Sequence, residues 1–191
     1  GTFTFNYNGS EVTYGTVTGA NNRCWLDRNL GASRVAESSN DPNAYGDLFQ
    51  WGRLDDGHQV RTSPLTSTLS FSDNPGHNKF IWTIDDPYDW RSPQNLNLWQ
   101  GVNGINNPCP VGFRLPTGEE WETERLSWSS NNNTGAFTSP LKLQMAGRRV
   151  SFGGVVGHVG GNGWYWSSNV KNNSSRNLYF DSASALIGSE D

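Results

Sequence analysis

Pro108-Cys109-Pro110-Val111-Gly112-Phe113-Arg114-Leu115-Pro116-Thr117-Gly118-Glu119-Glu120-Trp121 decides the reading of this chain. Its prolines hold φ near about −65° and keep the backbone extended as far as Thr117. Thr117 then reads as a helix N-cap. Glu120, three residues on, can return a hydrogen bond to the N–H of the cap, as in a capping box. The pattern predicts a helix from Gly118 to Ser127, with Trp121, Leu126 and Trp128 inward and Glu119, Glu122, Glu124 and Arg125 toward water.

Upstream, Phe3, Phe5 and Tyr7 alternate with polar residues, Asn8-Gly9 turns, and Val12 and Tyr14 resume the alternation, which predicts a β-hairpin over residues 1 to 18. Gly19 to Asn22 is a second turn, and Arg23 to Asp27 a third short strand. Asp41-Pro42 reads as a cap followed by proline at the first helical position. Tyr45, Leu48, Phe49 and Trp51 then recur at near-helical intervals, predicting a short helix over Ala44 to Trp51. Residues 52 to 107 carry no lasting periodicity. Their aromatics, Phe80, Trp82, Tyr88, Trp90 and Trp99, predict an ordered, packed excursion.

Downstream, Ser129 to Gly135 reads as a polar loop. Strands are expected over Leu141 to Met145, Arg148 to Phe152 and Val155 to Gly160. A further pair, Trp164 to Ser168 and Arg176 to Asp181, flanks the turn Lys171 to Ser174, and a weak strand covers Ala183 to Ile187. Early helices followed by many short strands give an α+β chain.

The chain holds 191 residues, which one domain accommodates. Charged residues make up 17%, with 22 Gly, 9 Trp and a single Met, so the core must be built largely from aromatics in a loop-rich fold of extracellular character. A formal net charge of −4 excludes counterion-release binding to nucleic acid, which needs a concentrated basic face. No apolar run approaches the roughly 20 residues of a membrane span, and no signal peptide opens the chain. A leader or upstream domains can have preceded Gly1. Cys24 and Cys109 lack the close paired spacing of zinc ligands and are either one disulfide or two buried thiols.

Four stretches together carry a resemblance: Arg23 to Gly31 (RCWLDRNLG), Tyr45 to Gly52 (YGDLFQWG), Pro108 to Thr117 with Trp121, and Trp164 to Ser168 (WYWSS). They resemble the landmarks of the Fibrobacter-type major paralogous domain, a family similar to the formylglycine-generating-enzyme variant of the C-type lectin fold. The resemblance implies a C-type-lectin-like domain over residues 1 to 191, with two helices, a twisted antiparallel sheet and long ordered loops. It also implies occurrence on secreted bacterial or phage proteins, hence at the cell surface or on a virion. Members of that family usually continue past the position of Asp191 into a last strand ending Arg-Cys, whose cysteine pairs with that of the Cys-Pro motif. The resemblance therefore leaves the partner of Cys109 open, and a neighbouring subunit could supply a final strand by strand addition.

The functional expectation is a non-enzymatic recognition module of an adhesin, surface fibre or phage tail, binding a protein or glycan. A loop-rich C-terminal face of Arg149, Phe152, His158, Asn162, Trp164, Lys171, Asn173, Arg176 and Asp181 would make the contacts, because aromatics beside Asn and Ser suit adaptable recognition. The Asn-rich tail also resembles C-type-lectin-like proteins diversified by retroelements; ordinary Asn turn chemistry accounts for it equally. Three alternatives stand beside this expectation. One is a structural repeat subunit of a filament, completed by its neighbours. Another is a formylglycine-generating-type oxidase, for which neither cysteine lies in the expected C-terminal region. A third concerns a cofactor: Asp85, Asp86, Asp89 and Asn95 could gather calcium, or be solvated turn residues. No catalytic residue and no metal ligand is assigned. His58, His77 and His158 lack a nucleophile setting, and adjacent Asp55-Asp56 and Asp85-Asp86 point apart on an extended chain.

Overall fold

The computed structural model describes residues 1–190. Helix α1, Gly118–Leu126, starts where the cap predicts: the Glu120 N–H donates to Thr117 Oγ1 at 3.2 Å, and the Thr117 N–H donates to Glu120 Oε2 at 2.9 Å. Trp121 is inward, but the rest of the face differs from expectation. Leu126 is 68% exposed and Glu124 only 1%. The buried stripe is Gly118, Trp121 and Glu124, three residues apart, and Glu124 is drawn in because its Oε2 accepts from the Ala20 N–H at 2.7 Å.

The two opening strands, β1 (Thr2–Tyr7) and β2 (Ser10–Thr18), form the expected hairpin, with Asn8 at φ 48° and Gly9 at φ 79° as the two-residue turn calls for. β3, Cys24–Leu26, adds to β2 antiparallel. The expected helix over Ala44 to Trp51 does not form. Only a 3-10 turn, Pro42–Ala44, follows the Asp41 cap. Gly46 turns left-handed at φ 68°, where an added Cβ would come within 2.5 Å of the Leu30 carbonyl oxygen. The chain then runs without regular structure, its N–H groups bonding outward, Asp47 to Leu30 O and Leu48 to Gln59 O. The apolar spacing survives as burial of Tyr45 and Trp51 rather than as a helix.

Residues 52 to 107 are ordered around a second small core of Ile81, Trp90 and Leu98. Two short strands, β4 (Leu65–Thr66) and β5 (Phe80–Ile81), pair parallel there. The indole N–H groups of Trp90 and Trp99 donate to the Trp51 and Arg53 carbonyls, tying the excursion to the preceding segment. Buried Arg53 donates to Asp56, to Gln50 and to the His77 and Lys79 carbonyls, which satisfies a charge that could not otherwise be sealed from water.

The second helix lies elsewhere than expected. α2, Asn133–Thr138, grows from the predicted polar loop because Asn132 accepts from the Thr134 and Gly135 N–H groups. Leu141, Leu143 and Met145 are buried as expected, but so is Gln144, and Leu141 to Met145 joins no ladder: the Leu143 N–H donates to Ala136 O and that of Met145 to Ser39 O. The two expected strands that follow shrink to β6 (Arg148–Arg149) and β7 (Val156–Gly157), an antiparallel pair around a 3-10 turn at Phe152–Gly154.

Strands β8 (Gly163–Lys171), β9 (Ser174–Phe180) and β10 (Ala185–Glu190) make the main sheet, in the order β10-β9-β8. Its inner face carries Leu178, Phe180 and Ala185 against Trp121 of α1. The weak last strand sits slightly later than expected, and Asp191 lies outside the described residues. The chain is therefore α+β, with two helices and several small sheets among the described residues, all antiparallel except β4-β5. No helix among the described residues is long and apolar enough to cross a membrane.

Candidate functional site

On the outer face of the main sheet, Trp164 of β8 stands directly opposite Tyr179 of β9, with ring centroids 5.1 Å apart. Strand register places both on the face away from Leu178 and Phe180. Arg148 of β6 lies over the Trp164 ring at 4.5 Å, and the His158 ring meets the Trp164 edge at 5.4 Å. Asn162 Nδ2 donates to the Tyr179 hydroxyl at 2.7 Å, and that hydroxyl donates to Asp181 Oδ2 at 2.7 Å. Asp181 Oδ1 accepts from the Ala183 and Ser184 N–H groups. This bond to Asp181 raises the Tyr179 pKa, and the hydrogen bonds from Tyr179, Ala183 and Ser184 hold the Asp181 carboxyl low. The result is a half-exposed aromatic shelf, rimmed by a cation, an imidazole, an amide and a carboxylate.

Four of the nine residues expected at the C-terminal face, His158, Asn162, Trp164 and Asp181, meet on this shelf; the other five do not. Arg149 turns inward, donating to Gly154 O, Ser63 O and Ser63 Oγ with its guanidinium 4.3 Å from the Phe80 ring, so it clamps the β6-β7 hairpin to the excursion. Phe152 is exposed on the 3-10 turn of that hairpin. Lys171 and Asn173 sit at the far tip of the β8-β9 hairpin, roughly 23 Å along the strand from Trp164 at about 3.3 Å per residue. Arg176 points to the opposite face, where it pairs with Glu119 at 2.6 Å and its guanidinium packs against Gly118. Arg148 and Tyr179 were not singled out by the sequence. The alternation Trp164/Trp166 against Leu178/Phe180 carried the signal for Tyr179, whereas nothing local distinguished Arg148 from Arg149.

Beside the shelf opens a cleft of about 560 Å³. All four landmark stretches contribute to its wall, through Trp25, Phe49, Cys109, Trp121 and Trp166. They are bound to one another: Arg23 pairs with Glu120 at 2.9 Å, Trp25 packs on Trp121 at 4.9 Å, and the Trp121 indole donates to Trp166 O. The Trp166 indole donates to Phe49 O at 2.9 Å, and that of Trp51 to Ser167 O at 2.8 Å. Cys24 also lines the cleft, and neither cysteine is in a disulfide. Burial pushes the Cys109 thiol up to about 12, so at neutral pH it is protonated and a poor nucleophile.

His58 is the one histidine held against a carboxylate among the described residues, with Nδ1 2.6 Å from Asp56 Oδ1. Its Nε2 accepts from the Gln50 N–H at 3.0 Å, which fixes the proton on Nδ1 and leaves no nitrogen free for a substrate. Burial pushes its pKa down to about 4. In the acidic loop, Asp85 and Asp86 are exposed, Asp89 accepts from the Arg91 N–H, and Asn95 donates to Asp73. Among the described residues, no three His, Cys, Asp or Glu groups converge as metal ligands.

Compared with protein families, curated proteins and solved structures, the chain matches none.

Proposed function

We propose that this chain is a non-catalytic recognition module of an extracellular assembly, a C-type-lectin-like domain akin to the Fibrobacter-type major paralogous domain. It engages a glycan or protein on a cell surface through the Trp164–Tyr179 shelf. The observation that carries this reading is the pairing of two half-exposed aromatic rings with Arg148, His158, Asn162 and Asp181 around them. Rigid aromatic faces supply contact area at little entropic cost, and the polar rim fixes orientation. The sealed His58–Asp56 pair and the protonated Cys109 favour binding over turnover. Screening immobilised glycans and surface proteins tests it. Trp164→Ala, with an unchanged melting temperature, abolishes binding to whatever scores positive, while Arg176→Ala leaves binding intact. Retained binding by Trp164→Ala moves the site elsewhere.

A second reading, a filament subunit completed by its neighbour, draws support from β10, which ends the main sheet as an edge strand with Leu186 47% exposed. Sedimentation across a hundredfold range of concentration separates the two: a persistent monomer rejects the filament.

A further inference from the structure

Inside the cleft, on the same sheet face as the shelf and sharing Trp164 and Arg148 with it, one side-chain amide stands out. Asn177 is 1% exposed, lines the cleft, and its Nδ2 has no hydrogen-bond partner. A buried amide N–H left unpaired is destabilising, so its presence here points to an occupant that accepts from it. The amide is held in place by the sheet: Trp166 stands opposite it on β8, and on β10 it faces Gly188, where an added Cβ would lie 3.3 Å from Asn177 Oδ1. The surrounding walls are aromatic and already satisfied. Trp166 spends its indole N–H on Phe49 O, and the Tyr165 hydroxyl donates to Gln144 O at 2.8 Å. The Trp25 indole, which is also unpaired, lies against Gly19 and Glu124.

Of the cations around the cleft, Arg148 is stacked on Trp164 at 4.5 Å, and the others are paired. Arg28 pairs with Asp27 at 2.7 Å and Arg114 with Glu120 at 2.7 Å, while Arg149 is consumed by Ser63 and Gly154. Asp47 accepts from the Tyr7 hydroxyl at 2.7 Å. A volume of about 560 Å³ falls in the range of small-molecule sites, roughly 300–1,000 Å³, and is too small for a folded partner.

We propose that the cleft binds a small, uncharged, planar ligand, an aromatic ring bearing a carbonyl or similar acceptor, stacked along the Phe49–Trp166 wall and hydrogen-bonded to Asn177 Nδ2. This site goes beyond surface recognition by the shelf: the two share Trp164 and Arg148, and Asn177→Leu separates them, because Asn177 belongs to the cleft alone.

Coumarin serves as the probe, titrated into the intact protein and followed by NMR, with toluene as a comparator lacking the acceptor and benzoate as a charged one. Coumarin is expected to shift the Asn177 side-chain amide and the Trp166 indole saturably. It should bind roughly three- to tenfold more tightly than toluene, the range of one net hydrogen bond, and benzoate should not compete. Asn177→Leu should weaken coumarin by the same factor while leaving toluene binding and thermal stability undiminished, because it removes an orphan donor rather than a bonded one. Equal affinities for coumarin and toluene, competition by benzoate, shifts confined to the shelf, or full affinity in Asn177→Leu would each overturn the proposal. Should Asn177→Leu not fold, the coumarin, toluene and benzoate comparison on the unmodified protein decides alone.

Discussion

His58 shows how a residue that looks reactive by composition becomes structural by placement. Its Nδ1–H donates to Asp56 and its Nε2 accepts from the Gln50 N–H, in a pocket that excludes water. The imidazole is neutral in the folded state down to about pH 4, whereas in the unfolded chain it titrates near about 6.5. Between those values the unfolded chain binds the extra proton, so folding stability must fall as pH is lowered through that window. The loss from this group amounts to roughly 3 kcal/mol by pH 4. Urea midpoints at pH 7 and pH 4.5 check it, and His58→Gln should flatten the dependence. At this scale the sequence was least informative. It gave no sign that His58 would be buried against Asp56, and it put Arg149 and Arg176 beside Trp164, since the direction of a long side chain depends on neighbours such as Ser63 and Glu119 that are distant in the chain.

At the scale of elements, local signals with their own hydrogen-bonding logic were the legible ones. Asn8-Gly9 gave the hairpin, and Thr117 with Glu120 gave α1. Thr117→Ala should cost about 1 kcal/mol, because the Glu120 N–H loses its acceptor, and chemical denaturation measures it. Asn132→Ala should cost a similar amount at α2, a helix concealed because its cap lies in an Asn run that also reads as a turn. The failed helix over Ala44 to Trp51 teaches the converse. Apolar spacing recorded which side chains are buried, but Gly46 and the waiting carbonyls of Leu30 and Gln59 take the backbone out of a helix. Leu141 to Met145 likewise showed a strand's alternation without a partner strand to pair with.

Across the whole molecule, the four stretches that carried the resemblance come together around one cleft, joined by Arg23–Glu120, Trp25–Trp121, Trp121–Trp166 and Trp166–Phe49. Their order along the chain was visible in the sequence; their convergence was not, because it depends on contacts between residues 45 to 117 positions apart. The same framework holds the outer shelf in register through β8 and β9. Amide hydrogen exchange of the protein, alone and saturated with the glycan or surface protein it binds best, tests the recognition account most directly. Protection concentrated at residues 158 to 164 and 179 to 184 is the predicted result. Protection concentrated instead at the hairpin tip, residues 171 to 176, or along β10, would contradict it.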